Sequence, residues 1–254
     1  MIDTHCHLND EKLYKDIDKI INDCKLKNIT HLVCASYDLP SSKLSVDIAN
    51  NHDIVYATIG MHPHDSDKYN DDVENQFINL AKNKKVVAFG EIGLDYHYNL
   101  SPKNIQKQVF ERQLVLADFL KLPVVVHTRE AIGDTVDIIQ NNLKYINNGL
   151  VFHCYNASFE ITKKFIDYGF KFSFGGPVTY KNSNLPELIK KLPEDCYFLE
   201  TDCPYLAPQG LRGTINIPQN VVCVAENIAQ TIDKPVRYVE QFTDTNAKLF
   251  FKIN

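Results

Sequence analysis

Leu122-Pro123-Val124-Val125-Val126-His127 is apolar at consecutive positions and then ends on an imidazole. A strand covered on one face alternates apolar with polar residues, whereas one covered on both faces has no reason to. The run is too short for an ordinary helix and far too short to span a bilayer. It reads as a buried strand of a parallel sheet. Working outward, seven more β-rich runs share the pattern: Met1–His7, Thr30–Ser36, Ile54–Gly60, Lys85–Gly90, Gly149–His153, Phe170–Phe174 and Cys196–Thr201. Between them, apolar residues recur at three- and four-residue spacing, as in Ile17, Ile20, Ile21 and Cys24, or Phe110, Leu114, Ala117 and Leu120. The second of these helices is expected to start at Ser101-Pro102, with Ser as N-cap and Pro at the first helical position.

Eight strands alternating with helices is the α/β pattern. An open doubly wound sheet competes with a (β/α)8 TIM barrel. The strand count, the length of 254 residues and the lack of a Gly-rich turn after the first strand favour the barrel. With no linker or internal repeat, residues 1–254 read as a single domain.

Composition narrows the function. The chain is 44% hydrophobic, 23% charged and carries a net charge of -5, so it has no overall basic character for coating duplex DNA. Any nucleic-acid contact must be local. Seven scattered cysteines, with no CxxC pair, suit a reducing compartment rather than a disulfide framework. The start shows no charged-then-apolar leader, so a cytoplasmic location without membrane contact is expected. No exposed apolar stripe is evident, which suggests a monomer.

The chemistry collects at the strand ends. The first ends in His5-Cys6-His7, the fourth in Gly90-Glu91, the fifth in His127, the sixth in His153 and the eighth in Thr201-Asp202. Barrel active sites lie at the carboxyl ends of the strands. Residues two apart on a strand share a face, about 6.6 Å apart, so His5 and His7 converge while Cys6 points away. One strand-end histidine would be an ordinary hydrogen-bonded core residue. Four histidines and two carboxylates together need partners, and metal ions supply them. Six ligands exceed the need of one tetrahedral zinc and suit two ions about 3.5–4 Å apart, with Glu91 the natural bridge. The ions could be zinc, magnesium or manganese. His62, His64, Arg129 and Arg212 are candidates to neutralise a substrate phosphate. Cys6, Cys154 and Cys203, each following a ligand, read as structural thiols, and Tyr96 or Tyr205 could stack on a base.

These segments resemble the TatD family of metal-dependent deoxyribonucleases. The likeness is carried by Ile2-Asp3-Thr4-His5-Cys6-His7, Gly60-Met61-His62-Pro63-His64, Gly90-Glu91-Ile92-Gly93-Leu94-Asp95-Tyr96, Val126-His127-Thr128-Arg129-Glu130-Ala131, Phe152-His153-Cys154, Glu200-Thr201-Asp202-Cys203-Pro204-Tyr205-Leu206-Ala207-Pro208 and Thr245-Asn246-Ala247-Lys248-Leu249-Phe250. The resemblance implies a TIM barrel, divalent metals and hydrolysis of DNA phosphodiesters, often from the 3′ end. It implies that His5, His7, Glu91 and Asp202 hold one metal, that Glu91, His127 and His153 hold the other, and that His62 and His64 line the substrate site. Two loops depart from the family: Tyr155-Asn156-Ala157-Ser158 stands where an aromatic and Ser-Gly-Ser are usual, and Thr214-Ile215-Asn216-Ile217-Pro218 where basic residues and Asn-Glu-Pro are usual.

The expected function is a divalent-metal hydrolase that cleaves DNA, as an exonuclease, by a metal-activated water, with Asp202 and Glu91 catalytic and Asp202 orienting or deprotonating the water. RNA or tRNA is an alternative partner. The rival readings are a D-aminoacyl-tRNA deacylase-type ester hydrolase on the same ligands and a metal-loaded nucleic-acid-binding subunit without turnover. Amidohydrolase barrels that bridge two metals with a modified lysine on the fourth strand fit less well, since Glu91 stands there.

Overall fold

The computed structural model describes residues 1–254. Eight strands form one sheet in the order β1-β2-β3-β4-β5-β6-β7-β8. They are β1 (Ile2–Cys6), β2 (His31–Cys34), β3 (Val55–Ile59), β4 (Val86–Asp95), β5 (Val124–Arg129), β6 (Leu150–Phe152), β7 (Lys171–Phe174) and β8 (Tyr197–Leu199). The ladders β1–β2, β3–β4, β4–β5, β5–β6 and β7–β8 are parallel. Ten helices intervene or follow: α1 (Glu11–Tyr14), α2 (Ile17–Leu26), α3 (Leu39–Asn51), α4 (Asp71–Leu80), α5 (Lys103–Phe119), α6 (Ile132–Asn141), α7 (Phe159–Asp167), α8 (Leu185–Ile189), α9 (Val221–Thr231) and α10 (Val236–Phe251). This is the (β/α)8 barrel that the strand pattern predicts. The first and last strands are also neighbours: Asp202 N–H donates to His5 C=O at 2.8 Å, and Thr201 N–H to Asp3 Oδ1 at 3.0 Å. No helix is long and apolar enough to cross a membrane.

The chain divides into two compact units, one of Met1–Cys34 with His153–Asn254 and the other Ala35–Phe152. In the second, Val124, Val125 and Val126 are all buried, as expected of a strand covered on both faces. The helical stripes are also as expected, with Ile20, Ile21 and Cys24 buried on α2 and Phe110, Leu114 and Ala117 buried on α5.

Two local expectations are corrected. Strand β4 does not end at Gly90 but runs to Asp95. Its register against β5 shifts between Phe89 and Ile92, after which pairing resumes through Asp95 opposite Arg129. Gly93 makes the continuation possible. Its φ is +141°, and a Cβ there would lie 2.0 Å from His127 C=O. Helix α5 starts at Lys103 with Pro102, not Ser101, in the capping place. Ser101 is occupied elsewhere, since its hydroxyl donates to His64 C=O at 2.8 Å and lies 3.0 Å from Asp67 Oδ1.

Helix α5 also holds the ends of two strands. Gln113, buried, accepts from Met61 N–H at 2.8 Å and donates to Met61 C=O at 2.9 Å. Gln106, two turns earlier on the same face, accepts from Asp95 N–H at 2.9 Å and donates to Asp95 C=O at 3.1 Å and Ser101 C=O at 2.8 Å. An amide side chain satisfies both main-chain groups of one residue, which no apolar side chain can do. Gln113→Leu should leave two buried groups unpaired and destabilise the fold by about 2–5 kcal/mol. Denaturant unfolding would show it, and a midpoint equal to wild type would refute it.

Candidate metal centre

In the first unit, β1 delivers His5 from its last-but-one position and His7 just beyond its end. β6 ends one residue before His153, and Asp202 follows β8 closely. The His5 and His153 rings stack at 4.0 Å with 9° between planes, and His7 meets His5 edge-on at 5.1 Å. Asp202 Oδ1 lies 3.2 Å from His7 Nε2 and 3.7 Å from His5 Nε2. Donor atoms of His5, His153 and Asp202 fall within 4.8 Å of one another, close enough to share one cation. Burial opposes ionisation of Asp202, yet hydrogen bonding from His7 and the charge of His153, His7 and His5 hold its pKa below the usual carboxylate value. It is therefore an anion throughout the neutral range. Its backbone is left-handed at φ 54°, which aspartate tolerates better than most residues.

That turn is braced on each side. Asp3 accepts from Thr201 Oγ1 at 2.6 Å and from His5 N–H at 3.2 Å. His7 N–H donates to Cys203 C=O at 2.8 Å. Asn216, fully buried, donates to Thr201 C=O at 2.9 Å and Tyr205 C=O at 2.8 Å. The Thr214–Pro218 segment thus has a structural amide at its centre. Glu200, also fully buried, accepts from Cys154 N–H at 2.7 Å, with its Oε1 4.0 Å from His153 Nδ1. Burial pushes its carboxyl up to about 7, against the pull of His153.

In the second unit, His127 sits between two carboxylates. Its Nδ1 is 3.4 Å from Glu91 Oε1, and its Nε2 is 3.1 Å from Asp95 Oδ2. An imidazole with one nitrogen beside a potential ligand carboxylate and the other held by a second carboxylate has the tautomer and orientation that metal-bound histidines need. Asp95 also lies 3.1 Å from His64 Nε2 and accepts the N–H groups of His97 and Tyr98, each at 3.0 Å. Burial works against its charge, and the bonds from His127, His64 and Tyr98 N–H outweigh it, holding the carboxyl well below its ordinary range. His62 packs against His127 at 4.4 Å and His64 at 4.2 Å. Donor atoms of His62, Asp95 and His127 also lie within 4.8 Å of one another. Burial, with the neighbouring His127, lowers the His62 pKa well below its ordinary value.

The other candidates divide. Arg129 and Arg212 are exposed, with their guanidinium carbons 4.9 Å over Tyr98 and 4.8 Å over Tyr180. Cys6 is fully buried and donates to Val33 C=O at 3.4 Å, so it is a structural thiol, and Cys203 is equally buried. Tyr96 is held by Asp134 at 2.6 Å and Tyr205 by Asp10 at 3.0 Å. Sequence reasoning gave no role to Asp95 or Glu200. Asp95 was within reach of it, because four residues along a strand from Glu91 is the same face, but only once β4 is known to continue past Gly90. Glu200 carried no signal apart from its place beside Thr201-Asp202.

The profile of the family described as TatD related DNase matches residues 2–252. The chain belongs to the TatD family of metal-dependent hydrolases. Along its whole length it is 38% identical to the uncharacterized metal-dependent hydrolase YabD of Bacillus subtilis (strain 168), covering all of that protein. It is 28% identical to a Citrobacter koseri protein named 3'-5' ssDNA/RNA exonuclease TatD, covering all of this chain and 99% of that one. The crystal structure of YJJV, a TatD homolog from Escherichia coli, superposes on all of this chain and 98% of its own with a TM-score of 0.94 at 26% identity. The donor sets of this TatD-family chain, imidazole with carboxylate in each unit, fit a divalent cation of the zinc or manganese kind.

Asp95→Asn should keep the fold but loosen the orientation of His127. Its affinity for zinc or manganese should fall about 10–100-fold. Isothermal titration of metal-stripped protein measures this, and wild-type affinity would exclude the role.

Proposed function

We propose that the chain is a single-domain hydrolase that cleaves phosphodiester bonds in DNA, trimming strands from an end, with two divalent ions as cofactors. The ligands in this reading are His5, His7, Glu91 and Asp202 for one ion and Glu91, His127 and His153 for the other. The observation that carries it is His127 seated between Glu91 and Asp95, an arrangement with little structural purpose beyond presenting an imidazole to a cation. The grouping of His5, His153 and Asp202 supports it from the other unit. The name of the Citrobacter koseri relative supports nucleic acid as the substrate class.

Divalent ions, when bound, make water nucleophilic near neutral pH and offset charge at phosphorus. The protein's part follows from its geometry. Asp202 is anionic and has His7 and His5 beside one oxygen, which leaves its carboxylate suited to orient the attacking water and accept its proton. Glu91, 3.4 Å from His127 Nδ1, would supply a carboxylate ligand. Asp95 holds His127 still, and Glu200 does the same for the turn after His153. Arg129 and Arg212, permanently charged, are suited to grip substrate phosphates.

The test is incubation of metal-loaded protein with end-labelled single- and double-stranded DNA, RNA and aminoacylated tRNA. Asp202→Asn and chelator-treated protein run beside it. A ladder shrinking from one end, lost on chelation and slowed about 10²–10⁴-fold in Asp202→Asn, is expected. Free amino acid with intact nucleic acid would replace the nuclease with an ester hydrolase, and binding without product would leave a non-catalytic subunit.

A further inference from the structure

Within the first unit, the segment around Pro177–Leu185 and the loop that follows Asp202 border an open cavity of ≈ 470 Å³. That volume is within the range of about 300–1,000 Å³ usual for small-ligand sites. Its wall includes Asn156, Tyr180, Lys181, Asn184, Gln209 and Arg212. No carboxylate lines it, although the chain has 32 acidic residues against 27 basic ones. Neither Lys181 nor Arg212 has an ion-pair partner. Two unpaired cations with no acid between them form a local field that favours an anion, against the sign of the whole molecule.

The wall is also prepared. Tyr180 hydroxyl donates to Ala207 C=O at 3.1 Å, which fixes the ring beneath the Arg212 guanidinium. Gln209 N–H donates to Thr179 Oγ1 at 2.8 Å, which ties the two loops together. The side-chain amides of Asn156 and Asn184 make no hydrogen bond within the protein and face the cavity wall. Each amide offers a donor and an acceptor side by side, the pattern that matches the edge of a nucleobase. Asn156 closely follows His153, and Arg212 stands on the loop that begins at Asp202, so the cavity adjoins this unit's proposed ligands in sequence.

We propose that this cavity seats one nucleotide unit of a single nucleic-acid strand. Arg212 and Lys181 take the phosphate, and the amides of Asn156 and Asn184 read the base edge. The assignment rests on the nuclease reading for its place in a reaction, though not for the binding itself. A base that presents its pairing edge to the protein has left its partner, so the cavity favours single strands over duplex.

Calorimetric titration of the full-length protein tests it, with and without chelator. The probes are thymidine 5′-monophosphate, inorganic phosphate, a short oligothymidylate and the same oligomer in duplex. The mononucleotide should bind more tightly than phosphate, and the single strand more tightly than the duplex. Arg212→Ala should weaken mononucleotide binding about 10–100-fold with chelator present, at an unchanged melting temperature because its side chain is exposed. Asn156→Ala with Asn184→Ala should remove the advantage of nucleotide over phosphate. Mononucleotide binding in Arg212→Ala equal to wild type, or binding that vanishes wholly with chelator, would overturn the site and leave the nuclease reading intact. The expected binding in a metal-loaded protein that degrades no nucleic acid would support the site and overturn the nuclease reading.

Discussion

The join between β1 and β8 is the constraint on which the first unit's chemistry depends. His7 and Asp202 are 195 residues apart in the chain, yet their side chains lie 3.2 Å apart. Main-chain bonds hold them there, from Asp202 N–H to His5 C=O and from His7 N–H to Cys203 C=O. Asp3 accepts from both strands at once. A buried carboxylate is costly to ionise unless it is fully bonded. Asp3 accepts the N–H groups of His5 and Thr201 and the Thr201 hydroxyl, yet burial outweighs these bonds and pushes its carboxyl up to about 8. The strand ends that carry the proposed ligands are thereby locked before any cation arrives.

The second unit solves the same problem with a helix. Gln106 and Gln113 on α5 occupy both main-chain groups of Asp95 and Met61, which fixes the loop ends beyond β4 and β3. Asp95 then aligns His127 and His64. A barrel strand end would otherwise expose unpaired N–H and C=O groups beside its catalytic side chains, and freedom there would blur a ligand position that must be held to a fraction of an ångström. The rigidity of the site is therefore main-chain hydrogen bonding relayed through a few buried polar side chains.

The loops behave differently. The Asn216 side chain replaces conformational freedom with four hydrogen bonds, including one from Asn220. Four residues earlier, Arg212 is exposed and rests on Tyr180.

Much of the architecture was legible in the sequence. Consecutive apolar positions such as Val124–Val126 identify strands covered on both sides, and the recurrence of such strands with helical stripes between them determines a parallel α/β fold. Residue chemistry at the strand ends singled out His5, His7, Glu91, His127, His153 and Asp202, because alternation along a strand is a local rule. What only the tertiary structure decided was non-local. Strand β4 continues to Asp95 because Gly93 lets it pass close to β5, and no propensity in the chain announces that. Although Asp95 also accepts from nearby His97 and Tyr98, the bonds that tie it to His127 and His64, and Glu200 to Cys154, join segments distant in sequence, so their roles could not be read from spacing. Ser101 looked like a helix cap, but the tertiary contacts to His64 and Asp67 claimed its hydroxyl first. Local pattern determines which faces are buried, while the partners that each buried polar group finds are settled only when distant segments meet.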